Sequence, residues 1–185
     1  MPRTSDKREK LVESARKLFH QVGFNQTSIA DIAEDSGVPL GNVHYYFKTK
    51  ADLISEVIDH RKEALKSWYK ELEKLANPKD RLVEMLGYIG EQKHQLVKYG
   101  CPVGSLCQEL DKERIPVSKQ ADGLIKLQQK WVADQFREMG EKNAEELGLQ
   151  LITSLHGTAV VANALKDPKV IDCEINRLKS WIKKR

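Results

Sequence analysis

The residues best suited to binding another molecule lie between positions 27 and 50, where the chain reads TSIADIAEDSGVPLGNVHYYFKTK. Hydroxyls open this segment at Thr27 and Ser28, and an ammonium group closes it at Lys50. Between them stand side chains of varied chemistry, namely Pro39, Leu40, Gly41, Asn42, His44 and Tyr45. Amides and small apolar groups can reach base edges in the grooves of a duplex when the fold leaves them exposed. What this segment can bind therefore depends on the elements that position it.

A short helix is predicted at the start of this segment. Thr27 or Ser28 can cap it, and Asp31 lies three residues after Ser28, which is the spacing of a capping box. Apolar residues then recur on one side, and Gly37 is expected to end the helix.

A second short helix is predicted directly after the turn. Pro39 can occupy its first position, and it extends to about Tyr46. Two short helices around one tight turn form a helix-turn-helix, whose second helix enters the major groove of DNA. Its exposed candidates for base contacts are Leu40, Gly41 and Asn42.

Residues 27–50 also resemble the DNA-binding segment of the tetracycline-repressor (TetR) family, with its Thr, Ile-Ala, Gly-Val, paired aromatic and final Lys positions. The resemblance implies that base contacts come from Pro39, Leu40 and Asn42. It implies contacts to phosphates or thymine methyl groups from His44 and Tyr45. It implies contacts to the DNA backbone from Thr27, Ser28 and Lys50. For His44, a plain exposed histidine is the alternative.

The rest of the chain is predicted to be helical too. Leu, Ile, Ala, Lys and Glu dominate its 185 residues, and the few prolines fall between periodic stretches. The stretches predict an all-α fold of nine helices, three short ones in front and six behind. We divide it into a helix-turn-helix domain at residues 1–50 and a ligand-binding and dimerisation domain at residues 51–185, a layout that also resembles the TetR family.

The net charge and the cysteines bear on the binding partner and the cellular compartment of the protein. Its net charge of +4 favours a polyanion only where it is concentrated on one surface, and Arg3, Lys7 and Arg8 could form a basic arm or merely aid solubility. Its three cysteines form no CxxC pair, and the start MPRTSDKREK lacks a signal peptide's apolar run. We expect a cytoplasmic protein without a membrane span, a metal or a cofactor.

Homodimerisation is expected at the C-terminal end. The stretch HGTAVVANAL at residues 156–165 mixes small and branched apolar residues, which suits close packing of helices on more than one side. TetR-like proteins dimerise through their last two helices, which the resemblance places at about residues 143–165 and 168–183. Burial within one monomer is the alternative.

A small-molecule effector would bind among the middle helices. Polar or aromatic side chains that could line such a cavity are Tyr88, Gln92, His94, Gln128, Trp131 and His156. The block GCPVGSLCQEL at residues 100–110 resembles one found in some TetR subgroups, and some family members sense electrophiles through cysteine. Cys101 and Cys107 are therefore candidate switches, and Cys107 joins the ligand-binding candidates. For each of these residues a structural or surface role is the alternative.

The predicted function is that of a ligand-responsive repressor. It would bind a palindromic operator in double-stranded DNA as a homodimer and be released by a small-molecule inducer. A DNA-binding activator, or an electrophile or redox sensor of the same fold, is the alternative. An enzyme is not predicted, because the sequence has no HExxH, Walker loop, GxSxG elbow or metal-spaced Cys/His cluster.

Overall fold

The computed structural model describes residues 3–185 of the chain, with side chains from Asp6 onward. Within that range every regular element is an α-helix, as the sequence predicts. The helices are α1 (Arg3–Gln21), α2 (Ile29–Ser36), α3 (Leu40–Tyr46), α4 (Lys50–Leu72), α5 (Pro78–Glu91), α6 (Lys93–Tyr99), α7 (Gly104–Lys112), α8 (Ser118–Glu138), α9 (Ala144–Leu165) and α10 (Lys169–Lys183). None of these helices is long and apolar enough to span a bilayer.

The stretch predicted as one helix from Pro78 to about Tyr99 is interrupted at Gln92. The Gln92 amide donates to carbonyl oxygens of the last turn of α5, and its own carbonyl then accepts from Gln95 and Leu96 at the start of α6. The predicted nine-helix layout thus corresponds to these ten elements, with α5 and α6 as one interrupted helix.

The chain forms two compact units. The first comprises Met1–Glu63 and Val103–Leu124, and the second comprises Ala64–Pro102 and Ile125–Arg185. The unit that contains α1–α3 therefore also includes the start of α4, all of α7 and the start of α8. Packing thus extends this unit beyond residues 1–50, and the functional division at residue 50 stays a prediction.

In the first unit, α1 and α2 pack through fully buried aliphatic residues, Leu11 and Ala15 on α1 and Ile32 on α2. Burying such side chains contributes roughly 1.5–3 kcal/mol each for Leu and Ile. The buried hydroxyl of Ser14 donates to Asp35 at 2.7 Å, which adds a polar link between the two helices. This packing holds α2 in place, and α3 packs against α2.

The second unit has one apolar core that α5, α8, α9 and α10 share. Its fully buried members include Leu82, Leu86, Val132, Phe136 and Leu151. Helices α8 and α9 approach closely at Gly148, because a Cβ atom there would lie 2.9 Å from the Cβ of Ala133 and 3.0 Å from its backbone nitrogen. Only glycine fits this position without a shift of the backbone.

Candidate nucleic-acid interface

Local hydrogen bonds define the start of α2. Ser28 is its N-cap, and the Ser28 hydroxyl accepts from the Asp31 amide at 3.1 Å while the Asp31 carboxylate accepts from the Ser28 amide at 2.7 Å. This confirms the predicted capping box. Gly37 ends α2 with φ of 68°, a left-handed conformation that glycine adopts without steric cost.

Pro39 lies one position earlier in α3 than predicted. It is the N-cap, with φ of −53° and ψ of 135°, and Leu40 is the first helical residue. The backbone amide of Asn42 donates to the Pro39 carbonyl at 2.8 Å, which closes the first turn. Pro39 thus fixes the direction in which α3 leaves the turn.

One side of α3 anchors the helix and the others are open. Val43 is fully buried, and Phe47, directly after the helix, is 3% exposed. These residues are four apart and so lie on one face. The remaining predicted base-contact residues are all exposed, namely Pro39, Leu40, Gly41 and Asn42. The fold therefore exposes these four residues together on one surface, and none of them is part of the hydrophobic core.

The aromatic residues at the end of α3 differ in exposure. The side chain of Tyr45 is 72% exposed, and His44 beside it is exposed as well. Tyr46 is half-buried and meets the Tyr45 ring edge-on, with ring centroids 5.1 Å apart. Tyr45 and His44 are thus the aromatic side chains of α3 that can reach a ligand.

The two predicted hydroxyl contacts are in different surroundings. Thr27 is 2% exposed, and its hydroxyl donates to the Gly23 carbonyl at 2.7 Å. Ser28 is exposed, but its hydroxyl and its amide are already bonded to Asp31. The Thr27 side chain is therefore held inside the turn after α1, and a phosphate could meet only the Ser28 side chain.

Lys50 does not extend into solvent at the start of α4. It is half-buried, and its ammonium nitrogen lies 4.1 Å from the centre of the Phe24 ring. Burial lowers the pKa of Lys50 below its ordinary value, although nearby carboxylates, that of Glu109 most strongly, oppose the shift. A desolvated cation of this kind gains from an anionic partner such as a phosphate.

The segment that holds α3 carries only positive charge along the chain, although the carboxylates of Glu109, Asp31 and Glu113 act on Lys50 from outside that segment. No acidic residue occurs between Asp35 and Asp52, while Lys48 and Lys50 both lie in that interval. In the predicted basic arm, the Arg3 side chain lies outside the described residues, and Arg8 pairs with Glu56 and lies over the Phe47 ring. Local positive charge thus comes from the α3–α4 junction, which suits a polyanion.

The candidate ligand-binding residues are dispersed. Trp131 is a core residue whose indole donates to Glu73 at 2.8 Å and stacks on Tyr69 at 4.3 Å. The other aromatic and polar candidates on α5 and α6 are exposed, namely Tyr88, Gln92 and His94. Cys107 is buried in the first unit, whereas the other six candidates belong to the second. The structure therefore gives no support for Cys107 as part of their site.

Two of these candidates do meet. The Nε2 atom of His156 lies 3.1 Å from Oε1 of Gln128, and the Nδ1 atom of His156 lies 3.3 Å from Sγ of Cys101. The sequence did not reveal this group, because Cys101 and His156 are 55 residues apart and no motif joins them.

An apolar stripe runs along the outer side of α9. Its large members are Leu149, Val160, Val161 and Leu165, each 47–66% exposed. Gly157 lies on the same face and has no atom within 4 Å of an added Cβ. Exposed apolar residues in such a row mark a surface that another element can cover.

Comparison with known proteins agrees with this geometry. Residues 11–57 match the bacterial regulatory proteins of the tetR family. An HTH-type transcriptional regulator of Lactococcus lactis is 26% identical over 186 residues, covering 96% of this chain and 93% of the relative.

Solved structures show the same fold. A TetR transcriptional regulator from Chloroflexus aurantiacus superposes with a TM-score of 0.85 at 21% identity, covering 100% of this chain and 98% of that one. One from Legionella pneumophila superposes with a TM-score of 0.83 at 20% identity, covering 100% and 97%.

Proposed function

We propose that this chain is a TetR-family transcriptional regulator. It is a repressor that binds an operator in double-stranded DNA as a homodimer and leaves it when a small-molecule effector binds. The observation that carries the proposal is the exposed surface of α3. Val43 and Phe47 anchor the helix, while Leu40, Asn42 and Tyr45 remain available to a major groove.

Base and backbone contacts are assigned to different residues of this surface. Asn42 offers an amide that can pair with adenine, and Leu40 offers an apolar side chain for a thymine methyl group. Tyr45, His44, Ser28 and Lys50 face the sugar-phosphate backbone in our proposal. The contacts to the backbone position the helix, and the contacts to the bases supply the specificity.

Dimerisation is assigned to the exposed stripe of α9, together with α10. A two-fold dimer carries two copies of α3, and the operator is then an inverted repeat with half-sites about 34 Å apart. Val160, Val161 and Leu165 would be buried between the subunits, with Gly157 allowing the two helices to approach.

Release by an effector is assigned to the second unit. Helix α4 runs from Lys50 to Leu72, so one helix begins at the DNA-binding segment and continues into the second unit. An effector that favours one arrangement of the middle helices by a few kcal/mol would change the spacing of the two α3 helices. We place the repressor in the cytoplasm, where the DNA and the effector are both accessible.

Two substitutions test the assigned contacts. Tyr45→Ala is expected to weaken binding to a selected duplex by about tenfold, because it removes a large exposed ring from the interface. Lys50→Ala is expected to lower the slope of log K against log salt by about one phosphate contact. Fluorescence anisotropy over a salt series measures both effects.

Matched controls lie in the second unit. Tyr88→Ala removes another exposed tyrosine, and Lys142→Ala removes another exposed lysine, so both variants should bind DNA as the parent does. Unchanged affinity and salt slope in the Tyr45 and Lys50 variants, with helical content intact, would refute the proposed interface.

A further inference from the structure

Cys101 and His156 form a thiol–imidazole pair in the second unit. Sγ of Cys101 lies 3.3 Å from Nδ1 of His156, and the far ring nitrogen, Nε2, lies 3.1 Å from Oε1 of Gln128. The three residues come from different parts of the unit, the loop after α6, α9 and α8. Their meeting therefore depends on the tertiary fold.

The orientation of the imidazole determines what it can do. Oε1 of Gln128 is a hydrogen-bond acceptor, so the nitrogen facing it carries the proton. The neutral ring then presents the lone pair of Nδ1 to the Cys101 thiol, which donates to it. This is the arrangement in which a histidine acts as a base toward a nucleophile and a third group orients the base.

The electrostatics of His156 agree with this arrangement. Burial disfavours its charged form, but the hydrogen bond and the charge of Cys101 outweigh burial, so the pKa of His156 is raised above its ordinary value. A histidine that gains charge beside a thiol stabilises the thiolate, which is the reactive form of cysteine. Cys101 is also half-buried and so retains access to solvent.

We propose that Cys101 is a covalent modification site for soft electrophiles of the α,β-unsaturated carbonyl class, with His156 as its base and Gln128 as the positioning residue for His156. The thiol proton passes to Nδ1 of His156, and the sulfur lone pair forms an S–C bond at the β-carbon of the electrophile. The π electrons of the C=C bond move toward the carbonyl as an enolate, which takes a proton at its α-carbon from His156. No oxidant or leaving group is needed.

Cys101 differs from the other two cysteines in exposure and in its described contacts. Cys107 is 7% exposed in the core of the first unit, which limits its access to reagents. Cys173 is exposed on α10, but no imidazole is hydrogen-bonded to it among the described contacts. The proposal therefore distinguishes Cys101 from Cys107, although the sequence suggested both.

The position of Cys101 connects the site to regulation, a step that rests on the proposed function. Cys101 lies three residues before α7 along the chain, and Glu109 of α7 accepts a hydrogen bond from the backbone amide of Asn25 at 3.1 Å, just before α2. An adduct at Cys101 enlarges a residue at the entrance to α7, and we expect it to weaken DNA binding.

The chemistry is tested first, on the purified full chain with N-ethylmaleimide as the probe. Peptide mass spectrometry gives the alkylation rate at each cysteine at about pH 6, where an ordinary thiol of pKa about 8.5 is almost wholly protonated. Cys101 should react about tenfold faster than Cys173, because the gain in thiolate exceeds the loss in nucleophilicity.

A variant of His156 shows whether the reactivity of Cys101 comes from this base or from the solvent exposure of the thiol. His156→Gln should slow Cys101 by about tenfold at about pH 6 but much less at about pH 9, where the thiolate forms unaided. The variant His60→Gln, at an exposed histidine of α4, should change neither rate. If Cys101 is slower than Cys173, or if His156→Gln has no effect at about pH 6, the proposed site is wrong.

DNA binding is measured separately on the same samples. Alkylation should reduce the affinity of the parent protein for a selected duplex by tenfold or more, and the affinity of Cys101→Ser should not change. If Cys101 is alkylated and binding persists, the sensing role is refuted. If the untreated protein binds no duplex, the proposed function fails while the alkylation rates still decide whether the site exists.

Discussion

At the residue scale, Ser28 and Asp31 show how a single pair of residues defines the start of α2. The Ser28 hydroxyl accepts from an amide of the first turn, and the Asp31 carboxylate accepts from the Ser28 amide. These bonds satisfy backbone donors that a short helix cannot satisfy internally. They also hold the pKa of Asp31 below its ordinary value, first through the Ser28 amide and second through the Ser28 hydroxyl.

Ser28→Ala should therefore lower the free energy of unfolding by about 1 kcal/mol at neutral pH. Urea unfolding followed by circular dichroism measures the change. Ser67→Ala in α4 removes an exposed serine from a helix interior and should cost nothing, because alanine favours helices. Equal losses in the two variants would contradict a capping role.

The same pair predicts a dependence on pH. A carboxyl whose folded pKa is depressed adds stability above its unfolded pKa, and this stability is lost as the pH falls through the folded value. The advantage of the parent over Asp31→Asn should thus be present at neutral pH and shrink below the ordinary aspartate pKa of 3.8. A gap that stays constant on acidification would show that the Asp31 charge does not matter.

Some residue roles could be predicted from the sequence and some could not. The capping box depends on residues three apart, so its spacing is visible in the chain. The burial of Thr27 depends on the path of the turn after Gly23, and the placement of Lys50 over Phe24 depends on packing. Sequence spacing carries no information on such tertiary contacts.

At the element scale, the approach of α8 and α9 depends on Gly148. An added Cβ there would lie 2.9 Å from the Cβ of Ala133 and 3.0 Å from its backbone nitrogen. Because backbone atoms cannot move aside like a flexible side chain, Gly148→Ala should destabilise the protein by about 1–3 kcal/mol. Denaturant unfolding at one fixed protein concentration measures the change.

The matched substitution is Gly123→Ala in α8, where an added Cβ would meet no atom within 4 Å. Alanine is the better helix former, so this variant should gain about 0.5–1 kcal/mol. A neutral or stabilising Gly148→Ala would mean that the two helices are further apart than described.

The spacing of apolar residues predicted the helices, but it did not predict the boundary between α5 and α6. The apolar residues of the stretch that holds α5 and α6 keep a helical spacing through Gln92, so the pattern predicted one helix. The break comes from a local change in hydrogen bonding at Gln92. Gly90 lies two residues earlier within α5, but an isolated glycine inside a helical pattern does not by itself mark the end of a helix.

At the scale of the whole molecule, the outer stripe of α9 determines the proposed assembly. Val160 is 58% exposed and should be covered by a second subunit. Val160→Lys would bury an unpaired charge in that interface, so the dissociation constant of the dimer should rise by about tenfold or more. Sedimentation velocity over a dilution series measures it.

Val22→Lys is the control, because Val22 is 54% exposed at the end of α1 and belongs to no proposed interface. It should leave the dimer intact. Equal association of the parent and the Val160 variant would place the interface elsewhere.

The sequence did not predict which stretches of the chain pack together in each of the two units. Residues 103–124 pack with the N-terminal helices, although the chain reaches them only after α5 and α6. Sequence patterns identified the helices and the helix-turn-helix because these depend on neighbouring residues. The units and the Cys101–His156 contact depend on long-range packing, for which a single sequence gives no signal.

The most direct measurement of the central claim is selection of duplexes from a random pool by the purified protein, followed by sequencing of the bound fraction. A dimer with α3 in the major groove should enrich an inverted repeat with half-site centres about one helical turn apart. Asn42→Ala, which removes a proposed base contact, should lose the base preference at one position of each half-site. Enrichment of no sequence by the parent protein, or an unchanged preference at every position in Asn42→Ala, would contradict the account.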